Sequence, residues 1–296
     1  MRVSDTQLTS TYLSNISDLR NGIYTISDQI ANQSSILTAS DDPEGTAKLL
    51  NLNKQLSQSE TYLSNIESSL GFVDQTISAL DVIESTVSDL MAAFVEINKA
   101  SIDDYDSYID QLDAAISTIL DAANATYDGK YIFGGTDYSD NPYDLTSDES
   151  AVVQNVTDVS GTSQIQVSSY SKQQINVTGD DLFGAIGTDD IFNTLLRIKS
   201  DLEAGNLPSD ADVEIVNTFY ETVLDTASQA GNYYNNLENY QTMLQTQQVN
   251  LEEMISSVKD LDLAEAAIIL ETYNTVLDSV YQVSSMVLPQ SLVDFL

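Results

Sequence analysis

Gly129-Lys130-Tyr131-Ile132-Phe133-Gly134-Gly135-Thr136 is the stretch of this sequence nearest to a phosphate-cradling loop. That loop needs a lysine directly after its second glycine, to reach the outer phosphates of a nucleotide. Gly135 stands there instead, and the segment leaves a helical pattern rather than a strand, so a backbone turn is the better reading. Asp137, Ser139 and Asn141 fall at the first three ligand spacings of a calcium loop, with Asp148 at its twelfth position. Pro142 sits where the sharp turn needs glycine, and Asp148 is shorter than the usual glutamate; a solvated acidic loop is expected. Paired carboxylates can hydrolyse glycosides. With 46 Asp+Glu in the chain some pairs lie close by chance, and nothing in the pattern builds a cleft around them. Asn155-Val156-Thr157 and Asn176-Val177-Thr178 fit the glycosylation pattern, which short polar strands generate freely.

Composition closes most other chemistry. The 296 residues contain no His, Cys or Trp. Imidazole or thiolate catalysis, zinc sites built on those ligands and disulfides are therefore out of reach. No catalytic, cofactor-binding or metal-binding residue is assigned, and no enzyme activity is expected. Forty-six acids against ten Lys+Arg leave a net charge of −36. Such a chain repels phosphate backbones, so nucleic acid and anionic membrane surfaces are poor partners. The longest purely apolar run, Ala266–Leu270, cannot span a bilayer. The opening residues lack the apolar core of a cleaved secretory signal.

Hydrophobic spacing carries the remaining information. Tyr12, Ile16, Leu19, Ile23, Ile26 and Ile30 step by four and three in alternation. Ala266, Ile269, Tyr273, Val276, Val280, Val283 and Val287 do the same near the other end. A 3.5-residue average keeps one seam of a helix facing a partner helix. Both termini are therefore expected to pair as a coiled coil. A longer seam runs from Leu49 to Phe94, with Ser59 and Glu84 at positions that would otherwise be apolar, and another from Val213 to Val258, with Gln241 and Gln248 in its gaps. Buried, such polar residues fix the register of a bundle at some cost in stability; placed at its exposed edge, the expected position, they cost little. A further helix, Tyr105 to Ala123, follows a break near Ser101–Asp104.

Asp42 before Pro43 reads as a helix N-cap, Pro208-Ser209-Asp210 opens another long helix, and Gly205 closes a short one, Ile191–Leu202. Eight of the twelve glycines lie between 129 and 205. Alternating β-branched residues predict strands over Ala151–Val159, Ser163–Ser169 and Lys172–Val177, with Ser160-Gly161 as a turn. This β-rich segment is expected to be a satellite that shares little with the helical seams. One helix from Asp42 to Asn98 would be roughly 85 Å long, against a radius of gyration of about 19 Å for a globule of this length. The fold class is thus mainly α: an elongated rod of long heptad-patterned helices, plus a small β-rich inserted domain.

Several pieces match one family in chain order. They are Met1-Arg2-Val3-Ser4-Asp5, Ser40-Asp41-Asp42-Pro43 opening a long helix, the Gly129–Thr136 segment, Gly179 with Phe183-Gly184, Asp260–Ala266 and the ending Ser291–Leu296. The chain resembles the flagellar hook-associated protein 3 family, the hook–filament junction proteins related to flagellin. It departs from that pattern at Ala39, where the family often has proline, and at Tyr233, where an arginine is common. The resemblance implies a terminal coiled-coil domain of 1–38 with 262–296. It implies a long-helix domain of 39–130 with 188–261, and an outer β-rich domain of 131–187. It also implies a structural subunit, exported through the flagellar type III apparatus without a cleaved signal and located outside the cell in the flagellum. Expected partners are further copies of itself in a ring, hook-associated protein 1, flagellin, and an export chaperone before secretion. The assembly interface would be the seams Tyr12, Ile16, Leu19, Ile23, Ile26, Ile30, Ile269, Tyr273, Val276, Val280, Val283 and Val287. Flagellin itself is the nearest alternative. An acidic helical chaperone or scaffold, or a surface adhesin with its function in 129–187, are the others.

Overall fold

The long apolar seams become long helices. The computed structural model describes residues 2–97, 105–137, 140–147, 150–155, 159–187 and 190–287. In chain order, α1 (Arg2–Asn32) and α2 (Pro43–Ile97) are followed by α3 (Tyr105–Ala123). Then come three antiparallel hairpins, β1–β2 (Thr126–Tyr127, Lys130–Tyr131), β3–β4 (Tyr143–Leu145, Val152–Gln154) and β5–β6 (Gln164–Gln166, Lys172–Gln174). The chain closes through α4 (Gly179–Phe183), α5 (Ile191–Glu203), α6 (Asp210–Lys259) and α7 (Leu263–Val287). The mainly α class with a small β-rich insertion is what the sequence predicts. The expected break at Ser101–Asp104 lies outside the described residues.

Helix ends follow local chemistry. Asp42 Oδ1 accepts the Gly45 N–H at 2.9 Å, so it caps α2 as expected. Its neighbour Asp41 accepts from the Thr38 backbone N–H and hydroxyl and from the Leu37 N–H, which holds its carboxyl below the ordinary value. Gly205 has φ +76°; its N–H bonds to Leu202 O, and the Asn206 N–H to Asp201 O. That pair of bonds closes the last turn of α5 and needs a left-handed residue, which glycine supplies without strain.

The chain divides into two compact units, residues 1–58 with 247–296, and residues 59–246. In the second unit, inward residues of α2, α3, α5 and α6 share one apolar core. The insertion is part of that core and not a satellite. Ile132, Phe133, Tyr143, Val152, Val167 and Val177 are all fully buried within it. Phe183 stacks on Phe192 and Phe219 at 5.2 and 6.0 Å between ring centroids, and meets Phe133 and Tyr143 edge-on at 5.7 and 5.0 Å. Rings from the insertion and from helices α4, α5 and α6 thus form one cluster, which the helical periodicity alone does not reveal.

The strands are shorter than predicted and pair differently. Val152–Gln154 pairs with Tyr143–Leu145, and Gln164–Gln166 with Lys172–Gln174, so Ser160-Gly161 does not join two paired strands. Hydrophobic alternation marked these segments correctly but carries no information on which partner each takes. Ser59 is also corrected: it is 3% exposed, with its hydroxyl unpartnered, and does not lie at an exposed edge. Glu84, Gln241 and Gln248 are half-buried, and Tyr220 donates to Glu84 Oε1 at 3.4 Å.

Candidate assembly surface on the terminal helices

The nucleotide-like and calcium-like stretches do not become sites. Asp128 (φ +50°) and Gly129 (φ +74°) form the two-residue turn of the β1–β2 hairpin, a geometry that requires positive φ at both positions. Beyond it, Ile132, Phe133, Gly134 and Gly135 are packed inside the unit. Asn141 donates through Nδ2 to Tyr143 O, and its Oδ1 accepts from Asn155 Nδ2, so its amide serves the loop. Ser139 and Asp148 lie outside the described residues. Asn176 is fully buried, its Oδ1 accepting from the Ser163 N–H and its Nδ2 donating to Gly161 O, a structural role unlike that of a modified surface residue.

The terminal seams do come together. α1 packs against α7 within the first unit. On α1 every predicted seam residue turns inward: Ile26 is 6% exposed, and Tyr12, Ile16, Leu19, Ile23 and Ile30 are half-buried. Gly22, which the seam reading passed over, lets the two helices approach. A Cβ on it would lie 3.1 Å from the Tyr273 ring.

On α7 the structure rotates the predicted face. Tyr273 and Val280 turn inward as expected, together with buried Ala266. Their partners are Leu270 and Leu277, half-buried, rather than the neighbours one step back. Ile269, Val276 and Val283 are 37%, 40% and 44% exposed and form a seven-residue stripe beside the contact. The side chain of Val287 lies outside what the structure describes. A helix carrying Ala266, Tyr273 and Val280 at heptad spacing can pair through the +3 or the +4 residues. The signal that marks the second choice is the Leu270–Leu277 repeat, equally regular in the sequence. Leu263, Ile268 and Tyr281 are exposed as well, so the apolar surface of α7 is wider than the face turned towards α1. A single helical partner covers only part of such a surface.

Both helices are anchored at one place. The α1–α2 turn and the α6–α7 turn are hydrogen-bonded to each other: the Ser35 N–H to Lys259 O at 2.7 Å, the Leu261 N–H to Gln33 O at 3.4 Å, and Ser35 Oγ to Val258 O and Lys259 O. Asp262 then caps α7 by accepting from the Ala264 and Glu265 N–H groups. The Asp260–Ala266 stretch therefore does two jobs, bridging to the first turn and starting the last helix.

Comparison with known proteins places these features. Residues 213–296, covering most of α6 and all of α7, match the bacterial flagellin C-terminal helical region. No curated protein sequence matches the chain. Among solved structures, a flagellar hook-associated protein of Vibrio parahaemolyticus aligns at TM-score 0.66 and 20% identity, over 74% of this chain and all of that one. FlgL of Bacillus cereus aligns at TM-score 0.58 and 16% identity, over 70% and 99%. FlgL of Xanthomonas campestris gives 0.58 and 14%, over 69% and 98%. At these identities the likeness is one of fold. The resemblance read from the sequence motifs thus holds at the level of architecture, and the C-terminal helices are flagellin-like in sequence.

Proposed function

We propose that this chain is a structural subunit of the bacterial flagellum that forms the junction between hook and filament, assembling as a ring through its terminal helices. The observation that carries this reading is the exposed stripe Ile269, Val276 and Val283 on a helix whose other face already pairs with α1. Burying a side chain of this size is worth roughly 1.5–3 kcal/mol. Three of them left in water on one stripe call for a further helix, as assembly with copies of the chain would supply. The C-terminal match to flagellin and the fold shared with hook-associated proteins support the same reading. The role is structural, with no reaction to catalyse.

In this reading the ring contacts hook-associated protein 1 on one side and flagellin on the other. The chain reaches its place by flagellar type III export, escorted by a chaperone. The terminal pair 1–38 with 262–296 supplies the assembling helices. Antibody against the chain, viewed on purified flagella by electron microscopy, tests it: label confined to the hook–filament boundary is expected. Label along the whole filament would make the chain a flagellin, and label only on the cell body or in the cytoplasm would defeat both.

A further inference from the structure

The negative charge is not spread evenly. Residues 59–246 hold 32 acids and five bases, a net charge of −27; residues 1–58 with 247–296 hold 14 acids and five bases, a net charge of −9. Within the larger unit, Glu60, Glu67, Asp74 and Asp81 stand at intervals of seven on α2, and all four are exposed. Seven residues of helix rise about 10.5 Å and return to nearly the same face, so these carboxylates make a straight exposed stripe along the flank of the apolar seam. No Lys or Arg occurs between Lys54 and Lys99, so none of the four has a cation one turn away on its own helix. Two of the unit's five bases are already committed, Arg197 to Asp212 and Lys199 to Asp113.

We infer that residues 59–246 keep their fold under ionic-strength control, the folded unit being self-repelling until salt screens it. Folding draws 32 carboxylates into a much smaller volume than the unfolded chain occupies, and like charges resist that. The stripe spacing matches the screening length at about 0.1 M salt, roughly 10 Å; at about 0.01 M that length is roughly 30 Å and the whole stripe is coupled. Dilute buffer therefore opposes the fold along the full stripe, whereas at about 1 M, with a length near 3 Å, each carboxylate is isolated from the next. This inference is independent of where in the flagellum the chain sits, so microscopy of the junction neither supports nor sinks it.

Thermal unfolding of the full chain, followed by circular dichroism, tests it. Between about 0.01 M and about 1 M NaCl the Tm is expected to rise by at least about 4 °C, the scale of a modest stability change in a unit this size. Neutralising the stripe with Glu60→Gln, Glu67→Gln, Asp74→Asn and Asp81→Asn conserves shape and nearly conserves helix propensity. That variant should start higher in dilute buffer and rise less. A second comparison needs no variant. About 0.1 M guanidinium chloride, a salt as well as a denaturant, should raise the Tm of the dilute protein, while the same urea concentration lowers it. A Tm indifferent to NaCl overturns the inference. So does an equal rise in the neutralised variant, or a fall with guanidinium matching that with urea; those results would assign any NaCl effect to salting-out of apolar surface.

Discussion

Gly22 of α1 lies against the ring of Tyr273 of α7, so close that a methyl group on the glycine would come 3.1 Å from two ring carbons. Glycine inside a helix costs about 1 kcal/mol relative to alanine, and close approach of the two helices is what offsets it here. We predict that Gly22→Leu drives the helices apart while Gly22→Ala is nearly neutral, its propensity gain balanced by compression. Hydrogen exchange of α7 amides in the purified chain checks this. Gly22→Leu should speed exchange about tenfold, a loss of roughly 1.4 kcal/mol of local protection, and adding Tyr273→Ala should restore much of it. Unchanged exchange in the single variant would remove the glycine from the pairing.

The two faces of α7 should respond differently to charge. Val276 is 40% exposed, so Val276→Asp should leave the melting of the isolated chain within about 0.5 kcal/mol. It should nevertheless abolish filament attachment, because an unpaired carboxylate in an assembled interface costs several kcal/mol. Ile26→Asp, at a buried α1 position, should weaken α1–α7 pairing in the isolated chain as well. If Val276→Asp cells carried normal filaments, the exposed stripe would not be an assembly surface.

Removing the insertion should unfold more than the insertion. Phe183 touches rings at 133, 143, 192 and 219, so Phe183→Ala is expected to cost about 3–5 kcal/mol. Excision of residues 137–186 should lower the melting temperature of the remaining helices, not merely shorten the chain. Tyr170→Ala, at a fully exposed hairpin tip, serves as the neutral control. Helical melting unaffected by Phe183→Ala would show that the ring cluster is not shared.

Tyr143 offers a gain. Its side chain is fully buried and its hydroxyl has no hydrogen-bond partner. Burial, then the nearby Asp180 and Asp190 carboxylates, push its phenol well above the ordinary value, so it stays neutral at any working pH. Tyr143→Phe removes the unsatisfied group without changing the ring, and should stabilise the chain by about 1 kcal/mol. Urea unfolding of the two proteins decides it; a loss of more than about 1 kcal/mol would mean that the hydroxyl has a partner.

Acid should act through Asp212. Burial raises its carboxyl, but bonds from the Arg197 guanidinium and the Ser209 hydroxyl outweigh that and leave it below the ordinary value. The contribution is complete above the unfolded value, near pH 4, and drains away as pH falls through the folded one. Asp212→Asn is expected to cost about 1–2 kcal/mol near neutrality, the exposed side of Arg197 softening the loss. The gap between variant and wild type should narrow progressively below about pH 4. A gap constant down to about pH 2 would assign the loss to packing.

Helix positions, caps and the α1 seam were legible because each depends on neighbours in the chain. Asp42 needs only Gly45 three residues on, and Gly205 only the carbonyls of the turn before it. The Asp128-Gly129 hairpin carried the strongest short-range turn signal there is, yet the two-residue strands around it were too short to show alternation. The face of α7 was undecidable by periodicity, since Ala266, Tyr273 and Val280 belong equally to both readings. What periodicity could not reach was pairing across distance: strand partners, the shared ring cluster and the burial of Ser59 all depend on residues far away in sequence.

The bond from Ser35 Oγ to Val258 O joins residues 223 apart. Closing so long a loop early in folding would carry a large entropic penalty with little to offset it. The penalty shrinks only once the intervening chain has collapsed and shortened the effective path between its ends. The turns at 33–35 and 258–261 are therefore expected to meet late, once the intervening chain is ordered, and with them the register of α1 against α7. A chain stalled halfway would carry the stripe on an α7 without its α1 partner. The terminal contact thus acts as a certificate of maturity, one that an incompletely folded copy cannot display to its neighbours.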